Sequence, residues 1–118
     1  MEILVRKPTE KEVLAMSSKP VWTCDVSEFD WYYEREETCL IIEGEVTVKY
    51  DKKSVSFSVG DYVIFPQGLS CVWQVKKPVK KYYEFKMLFN FSLSAEMEKT
   101  LRKERAHAGT GQADGVAQ

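Results

Sequence analysis

The chain has 118 residues and a mass of 13.7 kDa, which is the size of one domain. Hydrophobic residues make up 44% of it, enough for one core, so the composition excludes a wholly disordered chain. The chain contains 17 Lys and Arg residues and 18 Asp and Glu residues, for a net charge of -1. Because the chain has no excess of positive charge, we expect no nucleic-acid partner.

The N-terminal segment, residues 1–20, is predicted to contain one short helix. Thr9 followed by Glu12 has the spacing of a capping box, and the helix would continue to Met16. Pro20 then favours an extended backbone. The segment resembles neither a secretory signal nor a transit peptide, and no apolar run reaches the roughly 20 residues of a membrane span. We therefore expect no membrane span and an intracellular protein, cytoplasmic or organellar in its mature form.

Residues 21–86 are predicted to form a β domain. Short runs rich in β-branched and aromatic residues follow one another here: VWTCDV, FDWYYE, TCLIIEGEVTVKY, SVSFSV, DYVIF, SCVWQV and VKKYYEFK. Turn-forming residues punctuate them at 25–28, 43–44, 51–54, 60–61, 66–68 and 76–78. Strands at this spacing predict an all-β barrel or sandwich.

Several of these runs alternate between the two faces of a strand. The alternation places the members of each of three sets on one face: Phe29, Trp31 and Tyr33; Val46, Val48 and Tyr50; and Cys71, Trp73 and Val75. Residues 40–42 are apolar on both faces, which is expected where two sheets pack together or where the chain forms a homodimer.

The C-terminal part, residues 87–107, is predicted to be a helical segment. Leu93, Met97 and Leu101 recur at helical spacing, and Ser94 is suited to cap the helix. Residues 108–118 hold almost nothing to bury and are predicted to be a flexible tail.

Two segments carry a fixed spacing of glycine and proline. In ETCLIIEG, six residues separate Glu37 from Gly44, and GDYVIFPQGLSC follows the pattern G-x5-P-x-G-x2-C from Gly60 to Cys71. Glycine accepts the positive φ that many reversals require, and proline presets φ at a strand end. We expect these residues to shape the fold and to perform no chemistry.

This spacing resembles the cupin family, whose two motifs are G-x5-H-x-H-x(3,4)-E-x6-G and G-x5-P-x-G-x2-H-x3-N. The resemblance covers residues 20–86 and implies a single all-β cupin barrel, a double-stranded β-helix or jelly roll, with the short N-terminal and C-terminal helices attached. Within the family, FDWYYEREETCLIIEGEV and GDYVIFPQGLSCVW are similar to small single-domain cupins of the (S)-ureidoglycine aminohydrolase-like branch.

The metal ligands that the resemblance implies are mostly replaced in this chain. Trp31 and Tyr33 stand at the two histidine positions of the first motif, Cys71 at the histidine of the second and Val75 at its asparagine, whereas Glu37 is retained. An indole cannot bind a metal, and a phenol is a weak ligand at neutral pH. A catalytic metal needs about three protein ligands, so we expect no cofactor.

An aromatic pocket is expected in place of the metal site. Its predicted lining consists of Trp31, Tyr33, Glu37, Cys39, Cys71 and Trp73. Rings around a carboxylate and a thiol suit a small ligand, ring-shaped or cationic. The alternative that the rings simply fill a small barrel stays open. If a metal binds at all, the expected ligands are Glu37, Cys71 and Cys39, a set suited to zinc or copper(I).

The cysteines and the basic run KKPVKK are expected to have structural roles. The three cysteines, Cys24, Cys39 and Cys71, are too few for a disulfide scaffold. The one histidine, His107, is far from Cys71 in the sequence, so Cys71 is expected to be a small buried hydrophobe and not a nucleophile. Residues 76–81 are expected to be solvated.

The leading functional hypothesis is a metal-independent cupin that binds a small molecule or serves as an interaction module, as a homodimer. The resemblance implies, as an alternative, an enzyme of the ureidoglycine aminohydrolase-like branch that uses Glu37, Tyr33 and Cys71. The characterised activity of that branch depends on manganese, and the replaced histidines argue against it here. A third hypothesis is a structural subunit of a larger assembly that docks through Leu93, Met97 and Leu101.

Overall fold

Seven antiparallel strands and one short helix make up residues 1–87, the part of the chain that the computed structural model describes. In chain order they are β1 (Leu4–Arg6), α1 (Glu10–Met16), β2 (Val21–Cys24), β3 (Ser27–Tyr32), β4 (Glu37–Tyr50), β5 (Lys53–Ser58), β6 (Tyr62–Phe65) and β7 (Ser70–Phe85). The predicted all-β class is confirmed. Beyond residue 87, the predicted C-terminal helical segment and the predicted tail lie outside the described residues.

Strands β4 and β7 are the long central strands, and they pair with each other over most of their length. The first part of β4 pairs with β6, to which β1 is added, and the last part of β7 pairs with β2. We call β1, β2, β6 and the parts of β4 and β7 that pair with them the first half-sheet. The last part of β4 pairs with β5 and the first part of β7 pairs with β3, which forms the second half-sheet. Register shifts in the β4–β7 ladder between Ile41 and Val46 separate the halves, because bulges bend a strand.

The core lies between the inner faces of the two half-sheets. The ring centroids of Trp22 and Trp73, which come from opposite halves, are 5.8 Å apart, and those of Phe57 and Phe65 are 5.9 Å apart. Val46 and Val48 are fully buried in the same core cluster and follow the predicted alternation. Side chains that interdigitate between two inner faces are typical of a β-sandwich of the jelly-roll kind.

Gly44 marks a bulge inside β4 and not the turn that the sequence predicted at residues 43–44. It has φ of 98°, and a Cβ atom there would lie 2.4 Å from the carbonyl oxygen of Pro78 on β7. The predicted turn at residues 76–78 is likewise absent, because β7 runs through it without interruption. Pro78 falls at a register shift, where no ladder hydrogen bond is required of it. These turn-forming residues therefore allow the two central strands to bend and touch.

The helix α1 begins as the sequence predicted. Thr9 Oγ1 accepts a hydrogen bond from the Glu12 backbone N–H, and the Glu12 side chain accepts one from the Thr9 N–H, which completes the capping box. Glu12 also binds Arg6 on β1, a strand that the sequence analysis missed because it has only three residues. No helix within residues 1–87 has the length and apolar character needed to cross a membrane.

Candidate functional site

A buried ion pair lies in the interior of the sheet. Lys81 Nζ donates a hydrogen bond to Glu37 Oε2 over 2.6 Å, and the two side chains are only 6% and 3% exposed. The ammonium group also lies 4.8 Å from the ring centroids of both Trp22 and Trp73, at a distance typical of cation–π contact. The expectation that residues 76–81 are solvated is therefore wrong for Lys81. Its neighbours at alternate positions, Val79 and Tyr83, are buried as well, so Lys81 belongs to the inward-facing set of β7.

The ion pair keeps Lys81 protonated. Burial by itself lowers the pKa of Lys81, but the Glu37 charge and the hydrogen bond to it act in the opposite direction and raise that pKa above its ordinary 10.5. The ammonium is thus a fixed internal positive charge, and the partner carboxylate compensates it. An amine held in this form is not a nucleophile.

Three further polar side chains of the interior are held in their neutral, hydrogen-bearing forms. Burial, with a further contribution from the Glu37 charge, raises the pKa of the Tyr33 phenol well above 10. Burial also raises the pKa of the Cys39 thiol, and it raises that of Cys71 to about 12. None of the three cysteines forms a disulfide bond. The thiols are therefore weak hydrogen-bond donors at neutral pH and not thiolates.

The aromatic residues of the predicted pocket occupy two different environments. Tyr33 and Trp73 are 1% and 2% exposed; the Tyr33 ring stacks on Phe65 at 4.8 Å, and Trp73 stacks on Phe29 at 6.0 Å. These two rings fill the interior. Trp31 is only half-buried, with its ring centroid 6.3 Å from that of Tyr33. It is therefore the aromatic residue of the predicted set that lies between the core and the surface.

Trp31 borders an open depression at the end of β3 and the beginning of β7. The depression has a volume of about 570 Å³, and its lining consists of Asp30, Trp31, Tyr32, Lys49, Ser70, Cys71 and Val72. Small-molecule sites usually have volumes of about 300–1,000 Å³. Cys71 is among its lining residues, and Cys71 Sγ donates a hydrogen bond to the backbone oxygen of Trp31 over 3.6 Å. The depression thus reaches two of the six residues that the sequence predicted for a pocket.

The residues at the family's ligand positions do not fit a catalytic metal ion. The Trp31 indole has no lone pair to donate, and Tyr33 and Cys71 hold their protons. The Glu37 carboxylate already accepts a hydrogen bond from Lys81. No group of three or more His, Cys, Asp or Glu side chains suited to a metal ion occurs in the described part of the chain. The positive charge beside Glu37 is the ammonium of Lys81.

Sequence reasoning missed Lys81 and three rings that contact the predicted set: Trp22, Phe57 and Phe65. The alternation of Val79, Lys81 and Tyr83 was a usable signal for Lys81. It was overlooked because a lysine within a basic run is usually solvated. The rings gave no comparable signal, since their contacts depend on which strands face one another.

Comparison with known proteins agrees with the all-β fold. The chain matches the EutQ-like cupin domain over residues 11–83. It is similar to a solved DUF861 family protein from Thermotoga maritima, with 43% identity and a TM-score of 0.69 over 72% of this chain and the whole of that one. The Clostridium difficile EutQ protein shares the fold, with 23% identity and a TM-score of 0.52 over 55% of this chain and 52% of that one.

A human relative is also found, the F-box only protein 17, which is 28% identical over 87 residues. The alignment covers 74% of this chain but only 31% of the human protein, so this chain corresponds to a minor part of it. The EutQ-like match, by contrast, spans more than half of this chain, and the all-β fold agrees with it. The chain therefore belongs to the EutQ-like cupin domain family.

Proposed function

We propose that this chain is a metal-independent, small-molecule-binding module built on a single cupin barrel, and that its ligand enters at Trp31. The observation that carries the proposal is the depression of about 570 Å³ whose lining includes the half-buried Trp31 and Cys71. The Trp31 ring contacts the Tyr33 ring, and the Tyr33 phenol is hydrogen-bonded to Glu37, the partner of Lys81. An apolar wall with a few fixed polar groups is the usual make-up of a ligand site.

The polar groups of the interior support a binding role over a purely structural one. A buried ion pair contributes little net stability compared with apolar residues of similar volume, so the stability of the fold does not require Glu37 and Lys81. The remaining pocket residues, Tyr33, Cys39 and Trp73, surround this pair on the proposed site's inner side. Because Lys81 already neutralises Glu37, the proposed ligand is not a cation that Glu37 would attract.

A thermal-shift screen of small metabolites, followed by tryptophan fluorescence titration of the hits, tests this proposal. A hit should raise the melting temperature of the full chain and lose most of its effect in Trp31→Ala. The matched control is Tyr82→Ala, which removes a half-buried aromatic ring from the first half-sheet, away from the depression. Equal responses of both variants, or a chain that responds to no compound, would refute a binding role at Trp31.

The alternative is an enzyme of the ureidoglycine aminohydrolase-like branch. Its support is the proximity of the Tyr33 phenol to the Glu37 carboxylate, whose charge contributes to the raised pKa of Tyr33. A protonated phenol can act as a general acid, with Glu37 and Cys71 beside it. Turnover of an amide substrate that is lost in Tyr33→Phe would favour this alternative. The expected homodimer stays a prediction for sedimentation velocity, as does the intracellular location for fractionation.

A further inference from the structure

The indole nitrogen of Trp73 is a buried hydrogen-bond donor that lacks a partner. Trp73 is 2% exposed, and among the buried side-chain nitrogen and oxygen atoms of residues 1–87 its Nε1 is the one that makes no hydrogen bond. Buried polar groups in folded proteins are nearly always hydrogen-bonded, because an unsatisfied donor destabilises the folded state. The position of this N–H therefore calls for an acceptor that the described residues do not supply.

A second donor lies beside the same indole. Lys81 Nζ is 4.8 Å from the Trp73 ring centroid, and within residues 1–87 its one hydrogen bond to a side chain is the one to Glu37. An ammonium carries three N–H bonds, so two of them are not used in this way. The Trp22 ring, directly opposite Lys81 in the β2–β7 ladder, covers the ammonium with an aromatic face and offers no oxygen acceptor.

Other interior donors already have acceptors. The Tyr33 phenol keeps its hydrogen and is hydrogen-bonded to Glu37, which also accepts a hydrogen bond from Lys81. The Cys71 thiol donates a hydrogen bond to the backbone oxygen of Trp31. Because these acceptors are already used, a ligand complementary to the Trp73 N–H brings its own oxygen acceptor.

The charge of the interior restricts that ligand further. The positive charge of Lys81 and the negative charge of Glu37 balance each other at 2.6 Å. A carboxylate or phosphate bound beside them would add an uncompensated buried charge, which is strongly unfavourable. An uncharged carbonyl oxygen satisfies the free donor without this penalty.

We infer that Trp73 Nε1–H and the Lys81 ammonium form a subsite for the carbonyl oxygen of an uncharged ligand. The subsite deepens the proposed function and rests on it, since it requires the small-molecule ligand proposed to enter at Trp31. Trp73 is its specificity-determining donor. Lys81 adds a positive potential that favours the oxygen end of a carbonyl dipole.

The test uses the indole N–H signals in the ¹H–¹⁵N spectrum of the full chain, which has three tryptophans. Trp→Phe variants assign the signals. The probes are 2-pyrrolidinone, acetone and methyl acetate, each compared with acetate at the same concentration. We expect the Trp73 signal to move downfield with the uncharged probes and to stay in place with acetate. Trp73→Phe, which keeps a ring but removes the donor, should bind 2-pyrrolidinone about fivefold more weakly.

Trp22→Phe is the matched control, because it changes the other indole beside Lys81 and leaves the Trp73 donor in place. It should keep the downfield shift of the Trp73 signal. A Trp73 signal that responds equally to acetate, or one that shows a long-lived water contact unaffected by any probe, would overturn the subsite. A response of Trp31 alone would overturn it while the proposed function survives. No response of any indole would overturn both.

Discussion

Replacing Lys81 by methionine tests whether the interior ion pair has the energetic character assigned to it. The change keeps the length and the apolar stem of the side chain but leaves the Glu37 carboxylate, 3% exposed in the native chain, without its 2.6 Å donor. Removing one partner of a buried pair costs about 3–5 kcal/mol, because the remaining charge stays desolvated. Since a domain has a free energy of unfolding of about 5–15 kcal/mol, Lys81→Met should remove a large part of the total.

The measurement is urea unfolding of the full chain at neutral pH, followed by circular dichroism. Lys77→Met is the matched control, since Lys77 lies on the same strand and its 3.8 Å pair with Glu45 has exposed side chains, 74% and 47%. It should change the free energy of unfolding by less than about 1 kcal/mol. The double variant Glu37→Met, Lys81→Met should recover most of the lost stability, because a buried pair and an apolar pair of similar volume are nearly equivalent. A loss below about 1 kcal/mol in Lys81→Met, equal to that in Lys77→Met, would refute the reasoning.

Three further predictions concern other parts of the chain. In urea unfolding, Gly60→Ala should lower the free energy of unfolding by about 1–2 kcal/mol, the cost of a left-handed backbone for alanine. Gly44→Ala should lower it by much more, because the new Cβ at residue 44 would lie 2.4 Å from the β7 backbone, whereas the nearest atom to a Cβ at residue 60 is 3.7 Å away. Equal losses in the two variants would contradict this. At neutral pH Cys71 should react with iodoacetamide about a thousandfold more slowly than a thiol of pKa 9, because burial raises its pKa to about 12. Mass spectrometry measures the rate of modification. A rate equal to that of an exposed cysteine would contradict the burial of Cys71. The Glu12 carboxyl, which accepts hydrogen bonds from Arg6, should titrate with a pKa of about 2 when followed by NMR. Its contribution to stability should be present above pH 4.5 and should be lost as the pH falls towards 2. A titration midpoint near 4.5 would show that the Arg6–Glu12 pair does not form in solution.

Local patterns in the sequence predicted much of the fold because they depend on neighbouring residues. The capping box at Thr9 and Glu12 formed as its spacing indicated, and the alternation of Cys71, Trp73 and Val75 gave the buried face of β7. The turn-forming residues were harder to interpret. Gly44 has the positive φ expected of it, but it serves a bulge at which two strands touch and not a reversal.

The candidate site was predicted only in part, because it depends on contacts between distant segments. Glu37 was assigned to the interior from the motif spacing, but its partner Lys81 is 44 residues away and lies within a run of basic residues. Composition and short-range pattern favour solvation for such a lysine. The pairing of β4 with β7 brings the two side chains together, and no local signal specifies that pairing.

The central claim is that Lys81 is a buried, protonated ammonium group paired with Glu37. A lysine-selective ¹H–¹⁵N spectrum at neutral pH observes that group directly, since an exposed ammonium exchanges its hydrogens too quickly to give a sharp signal. We predict a persistent ammonium signal with a coupling to the Glu37 carboxylate carbon, absent from the spectrum of Lys81→Met. A spectrum of the native chain that contains no such signal would contradict the account.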